Sequence, residues 1–332
     1  MSIPTCRISV TFPNIILGTG SGMIVLINSK NRNAWVFGPR IHHRFAFAFI
    51  VFYCLTLGQT LQGLCEDTQK NSPNKEAKFA NNSDKALVQI ERDVVFSEGL
   101  GYKLTADLYR PVSDELCPIV IMIHGGAWIA GDKWQVADHA KQMARSGFVV
   151  MAINYRLSPK FQWPAHLDDC FAALDWMKSH ADQWKGDTNR IGTWGYSAGA
   201  QLALMTAMNP RENSSKIKAV VAGGAPCDLT FVPENTKALS VFLGGTRSEV
   251  PERYRDASPI SFISKDDPPA YFFHGEEDFL VPLSNSLEMR DSLAAAGIQA
   301  IHRTVLGKGH LIAFLDPQAR LEAIQFLQTH LK

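Results

Sequence analysis

The stretch RIGTWGYSAGAQLAL, residues 190–204, restricts the possible folds of this chain more than any other part of its sequence. A β-favouring run leads directly to Ser197, which lies between Gly195 and Gly199, and helix-forming residues follow at once. A serine in a G-x-S-x-G pentapeptide between a strand and a helix is typical of a sharp, strained turn at the end of a buried strand. The alternative role for Ser197 is an ordinary N-cap of the following helix.

The segments around this turn alternate between short apolar runs and amphipathic stretches. The predicted strands are 87–96, 102–110, 118–126, 148–156, 190–195, 217–223, 270–274 and 299–306. The predicted helices are 134–147, 164–184, 198–208, 282–296 and 310–331. This order predicts an α/β fold, with a mostly parallel central sheet of about eight strands, an antiparallel edge, and helices on both faces. The proline-rich segment 226–268 breaks the alternation and is predicted to be a cap-like excursion over the sheet.

The N-terminal part of the chain differs in character from residues 87–332, which are predicted to form the folded domain. Residues 1–64 form an extension in which an apolar run, 45–57, follows two arginines, and residues 65–86 read as a polar linker. A basic region followed by a short apolar run predicts a secretory signal peptide, so the protein is expected to be secreted or periplasmic. The alternative is a membrane anchor formed by residues 45–64, because signal peptides usually begin a chain.

Charge and cysteine content exclude several classes of function. The 332 residues carry 33 basic and 32 acidic side chains, a net charge of +1, without a block of Lys or Arg. Binding to nucleic acid or to an anionic membrane surface is therefore not expected. The GTGSG stretch at 18–22 lacks the strand–helix context of a phosphate-binding loop. Both free thiols and, in an exported protein, disulfides stay open for Cys65, Cys117, Cys170 and Cys227.

A reactive serine needs a base and an acid, which in this kind of fold follow it in the order acid, then histidine. His310 lies directly after the last predicted strand, in a glycine-bearing loop that opens a helix, and is the best base. Asp278 lies in the loop after strand 270–274 and is the preferred acid. The acids that stay open as alternatives are Glu276, Glu277 and Asp228. The other downstream histidines are His274, His302 and His330.

An acyl-transfer site also needs hydrogen-bond donors for the oxyanion that develops on the substrate. One donor is expected to be the N–H of Ala198, the residue after the serine. The others are expected from the loop after the third strand, HGGAWIAGDK at 124–133. The glycines of this loop let backbone N–H groups approach a substrate closely.

These segments together resemble the α/β-hydrolase superfamily, in particular the hormone-sensitive-lipase-like carboxylesterases and the group of bifunctional feruloyl and acetyl-xylan esterases. The matching segments are HGGAW with GDK, INYRLSP at 153–159, FQWPAHLDD at 161–169, RIGTWGYSAGAQLA at 190–203, HGEEDFLVP at 274–282 and GKGHLIAF at 307–314. The resemblance implies a catalytic triad of Ser197, Asp278 and His310. It also implies an oxyanion hole of Gly126, Ala127 and Ala198, in which Ala127 replaces the third glycine of the family's HGGG motif.

The resemblance further implies a serine hydrolase that cleaves short-chain or polysaccharide-linked carboxylic esters through an acyl-enzyme, with neither metal nor organic cofactor. The alternatives are amidase or formamidase activity on the same triad, and a non-catalytic ligand-binding protein on a hydrolase scaffold. The expected partner is the ester substrate, with membrane contact only through an uncleaved N-terminal segment. The expected structural supports are Asp132, Tyr155 and Arg156. Walls of a substrate pocket and ordinary core positions both stay open for Trp128, Phe231, Phe242 and Leu243.

Overall fold

The computed structural model describes residues 11–12, 15–20, 23–28, 34–37, 87–209, 216–234 and 236–332. The predicted signal peptide at 45–57 and the predicted linker at 65–86 lie outside these residues. The chain divides into two units, Met1–Asn81 and Asn82–Lys332, which are described separately below. Among the helices of the described residues, none combines the length and apolar character that crossing a membrane requires.

The described part of the first unit consists of four strands in one antiparallel sheet. They are β1 (Thr11–Phe12), β2 (Ile15–Gly20), β3 (Met23–Asn28) and β4 (Ala34–Phe37), and they pair in this order. The first three residues of the GTGSG stretch lie in β2, where they pair with β3. No secondary structure was predicted for this region from its sequence.

The second unit contains the predicted central sheet, with eight strands. They are β5 (Val88–Gly99), β6 (Tyr102–Pro111), β7 (Cys117–Ile123), β8 (Val149–Ile153), β9 (Gly186–Tyr196), β10 (Ala219–Gly223), β11 (Ala270–Gly275) and β12 (Ala300–Val305). Their order across the sheet is β12-β11-β10-β9-β7-β8-β6-β5. β6 pairs antiparallel with both β5 and β8, and the remaining pairs are parallel. The predicted mostly parallel sheet with an antiparallel edge is confirmed.

Helices cover both faces of this sheet, as predicted. They are α1 (Ala137–Arg145), α2 (Ala165–Trp184), α3 (Ala198–Met208), α4 (Lys237–Leu243), α5 (Pro251–Asp256), α6 (Ser284–Ala295), α7 (His310–Phe314) and α8 (Pro317–His330). Short 3-10 helices occupy Lys133–Val136 and Pro259–Phe262. The fold is that of the α/β hydrolases, and its parallel strands bring their carboxyl ends to one edge, where ligands of such sheets bind.

The alternating side chains of β7 join the two apolar layers. Ile119, Ile121 and Ile123 pack into the layer that contains α2, α3 and α6. Val120 and Met122 point the other way, into the layer that contains α1 and α8. All five side chains are fully buried, and burying one such side chain is worth about 2 kcal/mol. The central strand therefore fixes the position of the loop that follows it.

The structure divides two of the predicted segments into shorter elements. The last predicted helix, 310–331, is two helices, because Pro317 begins α8 and Asp316 caps it by accepting the N–H of Ala319. Proline lacks an N–H and favours the first turn of a helix, so a new helix starts there. The excursion 226–268 contains α4, α5 and a 3-10 helix, and it packs on the core of the second unit rather than forming a domain of its own.

Candidate active site

Ser197 lies on a strained turn between β9 and α3. Its backbone has φ 56° and ψ −124°, a conformation that costs an L-residue about 1–3 kcal/mol. A Cβ at Gly195 would lie 2.0 Å from the carbonyl oxygen of Gly199. A Cβ at Gly199 would lie 2.2 Å from the carbonyl oxygen of Ile123 in β7. Both glycines of this turn, called here the elbow (residues 195–199), are therefore required by the close approach of strand and helix.

The side chain of Ser197 does not cap α3. The alternative of an ordinary N-cap serine is therefore wrong. The serine backbone N–H instead donates to the carbonyl oxygen of Gly223 at the end of β10, at 2.8 Å. This hydrogen bond ties the elbow to the neighbouring strand end.

His310 and Asp278 form a buried pair at the ends of the last two strands. The Nδ1 of His310 lies 2.5 Å from Oδ2 of Asp278. The other carboxylate oxygen, Oδ1, accepts the N–H groups of Leu280 at 3.0 Å and Val281 at 2.9 Å. Burial alone would raise the pKa of Asp278, but hydrogen bonds from His274 and His310 outweigh burial and hold this pKa well below its usual range. The carboxylate of Asp278 is therefore ionised, and these hydrogen bonds fix its orientation.

The alternative acids and bases occupy other positions. Glu276 and Glu277 are exposed, and Asp228 bonds the hydroxyl of Thr230. In the described part of the chain, His310 pairs with Asp278 and with no other carboxylate. His330 bonds Gln299 and the backbone of Phe326 on α8, away from this pair. The two remaining histidines, His274 and His302, lie behind Asp278.

The elbow and the His310–Asp278 pair border the same short segment, Gly223–Gly224. Gly223 accepts the N–H of Ser197, and a Cβ added at Gly224 would lie 3.0 Å from Cε1 of His310. The hydroxyl of Tyr196 donates to the backbone carbonyl of His310, which anchors α7 to the elbow. Among the described residues, the hydroxyl of Ser197 has no hydrogen-bond partner within 3.5 Å. The structure thus brings the histidine and the acid into contact and the serine into their neighbourhood.

The loop at residues 124–131 lies against the elbow. A Cβ at Gly125 would lie 2.9 Å from the carbonyl oxygen of Tyr196 and 3.2 Å from Cβ of Ser197. Gly126 has φ 124°, and a Cβ there would lie 2.0 Å from the carbonyl oxygen of Ala130. Gly126 also accepts the N–H groups of Ile129 and Ala130, which closes the loop into a tight turn. Only glycine fits such a position without displacing the turn.

Ala127 continues the unusual backbone of the 124–131 loop. It has φ 52°, and the following Trp128 has φ 61°, so two L-residues occupy the left-handed region at a cost of about 1–2 kcal/mol each. Within the described residues, the backbone N–H groups of Gly126 and Ala127 make no hydrogen bond. Neither does Ala198, whose N–H at the first turn of α3 has no partner inside its own helix. The three predicted oxyanion donors are thus without a hydrogen-bond partner among the described residues.

His124 supports the 124–131 loop through ring stacking and hydrogen bonds. Its ring stacks on Tyr155 at 4.4 Å between centroids, and its Nδ1 donates to the carbonyl oxygen of Gly125 at 2.7 Å. The hydroxyl of Tyr155 in turn donates to the carbonyl oxygen of His124 at 3.1 Å. Burial lowers the pKa of His124 to about 4. The imidazole is therefore neutral near pH 7 and acts as a fixed donor to the loop.

The expected structural supports are found in those roles. Asp132 accepts from the N–H of Trp134 at 3.0 Å and from the side chain of Asn154 at 2.9 Å. Arg156 lies in a partly buried ion pair with Asp169, with Nε–Oδ1 and Nη2–Oδ1 distances of 2.8 and 2.7 Å. The contact of Asn154 with Asp132 joins the loops after β7 and β8, and the ion pair joins the loop after β8 to α2.

Four residues could be either walls of a substrate pocket or core positions, and the structure distinguishes between these roles. Trp128 is buried and stacks on Phe242 at 4.2 Å between centroids, while its Nε1 donates to Gln201. Phe242 and Leu243 are fully buried, so these three residues belong to the core. Phe231 is 85% exposed and lies on the surface. Exposed apolar side chains also directly follow the acid and the base, at Phe279, Leu280, Leu311 and Ile312.

The described cysteines are not paired in disulfides. Cys117, Cys170 and Cys227 are buried free thiols, and Cys65 lies outside the described residues. Over the ranges that the structure describes, no group of three His, Cys, Asp or Glu side chains has a geometry that would hold a metal ion.

Sequence reasoning missed the groups that hold the acid and the base. His274 contacts Asp278, Ser286 bonds His274, and Tyr196 anchors His310. One signal was present, since His274 precedes Asp278 by four residues at the end of a strand. The distant Ser286 carries no such signal, because α6 reaches His274 only through the fold.

Comparison with known proteins identifies the family of the chain. The model of the BD-FAE family matches residues 106–293, more than half of the chain. The chain belongs to the BD-FAE family. This membership is consistent with the resemblance to the feruloyl and acetyl-xylan esterase group that the sequence motifs indicated.

Individual relatives of this BD-FAE member are named as esterases. The probable carboxylic ester hydrolase LipM of Mycobacterium tuberculosis is 32% identical over 55% of this chain and 46% of its own length. The isoprenylcysteine alpha-carbonyl methylesterase ICME of Arabidopsis thaliana is 28% identical over 70% of this chain and 59% of its own length. The chain thus spans about half the length of the curated relatives it matches.

A solved structure with the same fold is a truncated carbohydrate esterase from gut microbiota. It superimposes with a TM-score of 0.67 over 74% of this chain and 98% of its own, at 24% identity. This similarity supports the α/β-hydrolase fold.

Proposed function

We propose that this chain hydrolyses carboxylic esters, with Ser197 as the nucleophile. The observation that carries the proposal is the buried His310–Asp278 pair, with its Nδ1–Oδ2 distance of 2.5 Å, beside the elbow. A serine hydroxyl is a weak nucleophile at neutral pH and needs such a base and orienting acid. The esterase names of the matched relatives support the same chemistry.

The position of the proton in the His310–Asp278 pair determines which atom acts as the base. Because Nδ1 of His310 donates to the ionised Asp278, the neutral ring has its lone pair on Nε2, which is the atom that can accept a proton. When Oγ of Ser197 bonds to the ester carbonyl carbon, Nε2 takes the serine proton. Asp278 then stabilises the imidazolium without itself becoming protonated.

The carbonyl oxygen becomes negatively charged in this step. The N–H groups of Gly126, Ala127 and Ala198 are the donors for this charge, and each such donor is typically worth about 10²–10³ in rate. When the intermediate collapses, the bond to the alcohol breaks and His310 returns its proton to the leaving oxygen. A water molecule then attacks the acyl-enzyme by the same route, releasing the carboxylic acid and restoring Ser197.

Short-chain or polysaccharide-linked acyl esters are the proposed substrates. The matched carbohydrate esterase supports this choice, and the methyl group of Ala127, where the family motif has glycine, favours a small acyl group. The predicted signal peptide at 45–57 supports secretion or a periplasmic location, where polysaccharides occur. A screen against acetylated xylan, methyl ferulate and p-nitrophenyl esters of increasing chain length tests the class, and N-formylkynurenine tests the amidase alternative.

The nucleophile is tested by a pair of serine variants. Ser197→Ala should lower kcat on p-nitrophenyl acetate by about 10⁴-fold or more, because the covalent step is lost. Ser179→Ala is the matched control, since Ser179 is an exposed serine on α2 whose hydroxyl bonds only Asp175. It should keep wild-type kcat. Near-wild-type activity of Ser197→Ala would refute the proposed function.

A further inference from the structure

A row of polar side chains, two of them buried and one half-buried, continues from Asp278 through His274 and Ser286 to His302. His274, at the end of β11, is fully buried, and its Nε2 lies 3.2 Å from Oδ2 of Asp278. This is the same oxygen that pairs with His310 at 2.5 Å. Ser286 on α6 lies 2.8 Å from Nδ1 of His274 and 2.9 Å from Nε2 of His302 on β12.

The neighbours of His274 define which of its nitrogens carries the proton. Nε2 faces the carboxylate of Asp278 and, at 2.9 Å, the backbone carbonyl of Val281. Both groups can only accept, so Nε2 must carry a hydrogen. In the neutral ring Nδ1 is then an acceptor. The hydroxyl of Ser286 lies 2.8 Å from this nitrogen and 3.2 Å from the backbone carbonyl of Leu283, so its proton is assigned to the closer acceptor, Nδ1. The oxygen of Ser286 in turn accepts the Nε2–H of His302.

This assignment directs four N–H groups toward Asp278. Oδ1 receives the backbone N–H groups of Leu280 and Val281, and Oδ2 receives the Nδ1–H of His310. The Nε2 of His274 lies 3.2 Å from Oδ2 and 2.9 Å from the carbonyl oxygen of Val281, so its single hydrogen is shared between these two acceptors. A carboxylate has about four lone-pair directions, and this shared N–H faces the fourth. With donors on both oxygens, the carboxylate cannot rotate without breaking two hydrogen bonds to an ion. Such bonds are shorter and stronger than those between neutral groups.

We propose that His274 is a positioning residue for the reaction, acting through Asp278, and that Ser286 and His302 hold it in the Nε2–H tautomer. The inference rests on the proposed function, because it assumes that the His310–Asp278 pair activates Ser197. His274 has no exposed surface with which to touch a substrate. Its contribution therefore affects the chemical step and leaves substrate binding unchanged.

A matched pair of substitutions separates the N–H donor from the packing of the ring. His274→Gln places an amide N–H near the position of Nε2, whereas His274→Met fills similar space without a donor. His274→Met should lower kcat on p-nitrophenyl acetate by about tenfold to a hundredfold, the usual effect of one hydrogen bond to a charged group. KM should change by less than about twofold, and His274→Gln should recover kcat to within about fivefold of wild type.

Nuclear magnetic resonance gives a readout that a purely structural role would not change. With ¹⁵N-labelled histidine, the low-field proton on Nδ1 of His310 reports its hydrogen bond to Asp278. This resonance should persist in His274→Gln and shift upfield or broaden in His274→Met. In the wild type, the nitrogen shifts of His274 should show a protonated Nε2 and an unprotonated Nδ1, a measurement that stays decisive even if His274→Met fails to fold.

The outcomes distinguish this inference from the proposed function. Equal kcat values for the Gln and Met variants, a wild-type kcat in His274→Met, or the opposite tautomer of His274 would each overturn the inference. Ser197→Ala is assayed in parallel. If it is inactive while His274→Met is fully active, only the role of His274 is wrong. If Ser197→Ala is active, the proposed function itself is wrong.

Discussion

The two halves of the site differ in what shapes them: backbone geometry in one half, and side-chain hydrogen bonds in the other. The elbow and the 124–131 loop are shaped by the backbone, with glycines where a Cβ would meet a carbonyl oxygen at 2.0–2.2 Å. The half that follows β11 and β12 is shaped by side chains, in which four donors converge on the carboxylate of Asp278. Adding a side-chain atom to the backbone half should therefore lower kcat. In the side-chain half, removing a single hydrogen-bonding group should lower kcat.

The largest expected effect comes from the side-chain half. Asp278→Asn removes the charge that stabilises the His310 imidazolium, and kcat on p-nitrophenyl acetate should fall by about 10⁴-fold. Asp228→Asn serves as the control because Asp228, the alternative acid, bonds Thr230 instead; its kcat should stay within about twofold of wild type. The reverse ranking of the two variants would mean that the acid has been assigned wrongly.

The backbone half should respond to one added methyl group. Gly126→Ala places a Cβ 2.0 Å from the carbonyl oxygen of Ala130, at φ 124°, and should displace the oxyanion donors and lower kcat by about 10²–10³-fold. Gly147→Ala is a control for backbone strain alone, with φ 97° and no atom within 4 Å of the added Cβ. It should destabilise the fold by about 1 kcal/mol and keep its kcat. Comparable kcat losses in both variants would remove the distinction between the halves.

Low pH should lower the stability of the fold through His124, the histidine that supports the 124–131 loop. The pKa of His124 is about 4 in the folded protein, against about 6.5 in an unfolded chain. Between these pH values the unfolded state binds more protons, so the free energy of unfolding falls as pH falls. From pH 6.5 to pH 4 this histidine should remove about 3 kcal/mol. In urea titrations, His124→Phe, which retains an aromatic ring beside Tyr155, should lose about 3 kcal/mol less than wild type over this range. Equal losses would exclude His124 as the cause.

The smallest expected effect is at Ala127. Ala127→Gly restores the usual family residue and relieves a left-handed backbone of φ 52°, while the N–H donor stays. The free energy of unfolding should rise by up to about 1 kcal/mol, since strain relief slightly exceeds the entropy cost of glycine. kcat on p-nitrophenyl acetate should stay within about threefold, because the oxyanion is still bound. A loss of stability above about 1 kcal/mol would show that the alanine is not strained.

The difference between the backbone half and the side-chain half also explains which features could be predicted from the sequence. Gly195, Gly199 and Gly126 stand in recognisable local motifs, because backbone geometry is encoded by neighbours in the chain. Asp278 and His310 follow strands, so the fold class alone indicates the edge at which they meet. The contacts of Ser286 with His274 and His302 depend on the packing of α6 against two strands, which no local pattern specifies. The four-stranded sheet within residues 11–37 was not predicted, because this region was interpreted as part of an N-terminal extension.

The most direct test of the account is to trap the covalent intermediate. After brief reaction with a slowly hydrolysed p-nitrophenyl ester and acid quenching, mass spectrometry of the digested protein should find one acyl group, on the peptide that contains Ser197. Ser197→Ala should carry none. An acyl group on another residue, or steady turnover with Ser197 unmodified in every quenched sample, would contradict the account.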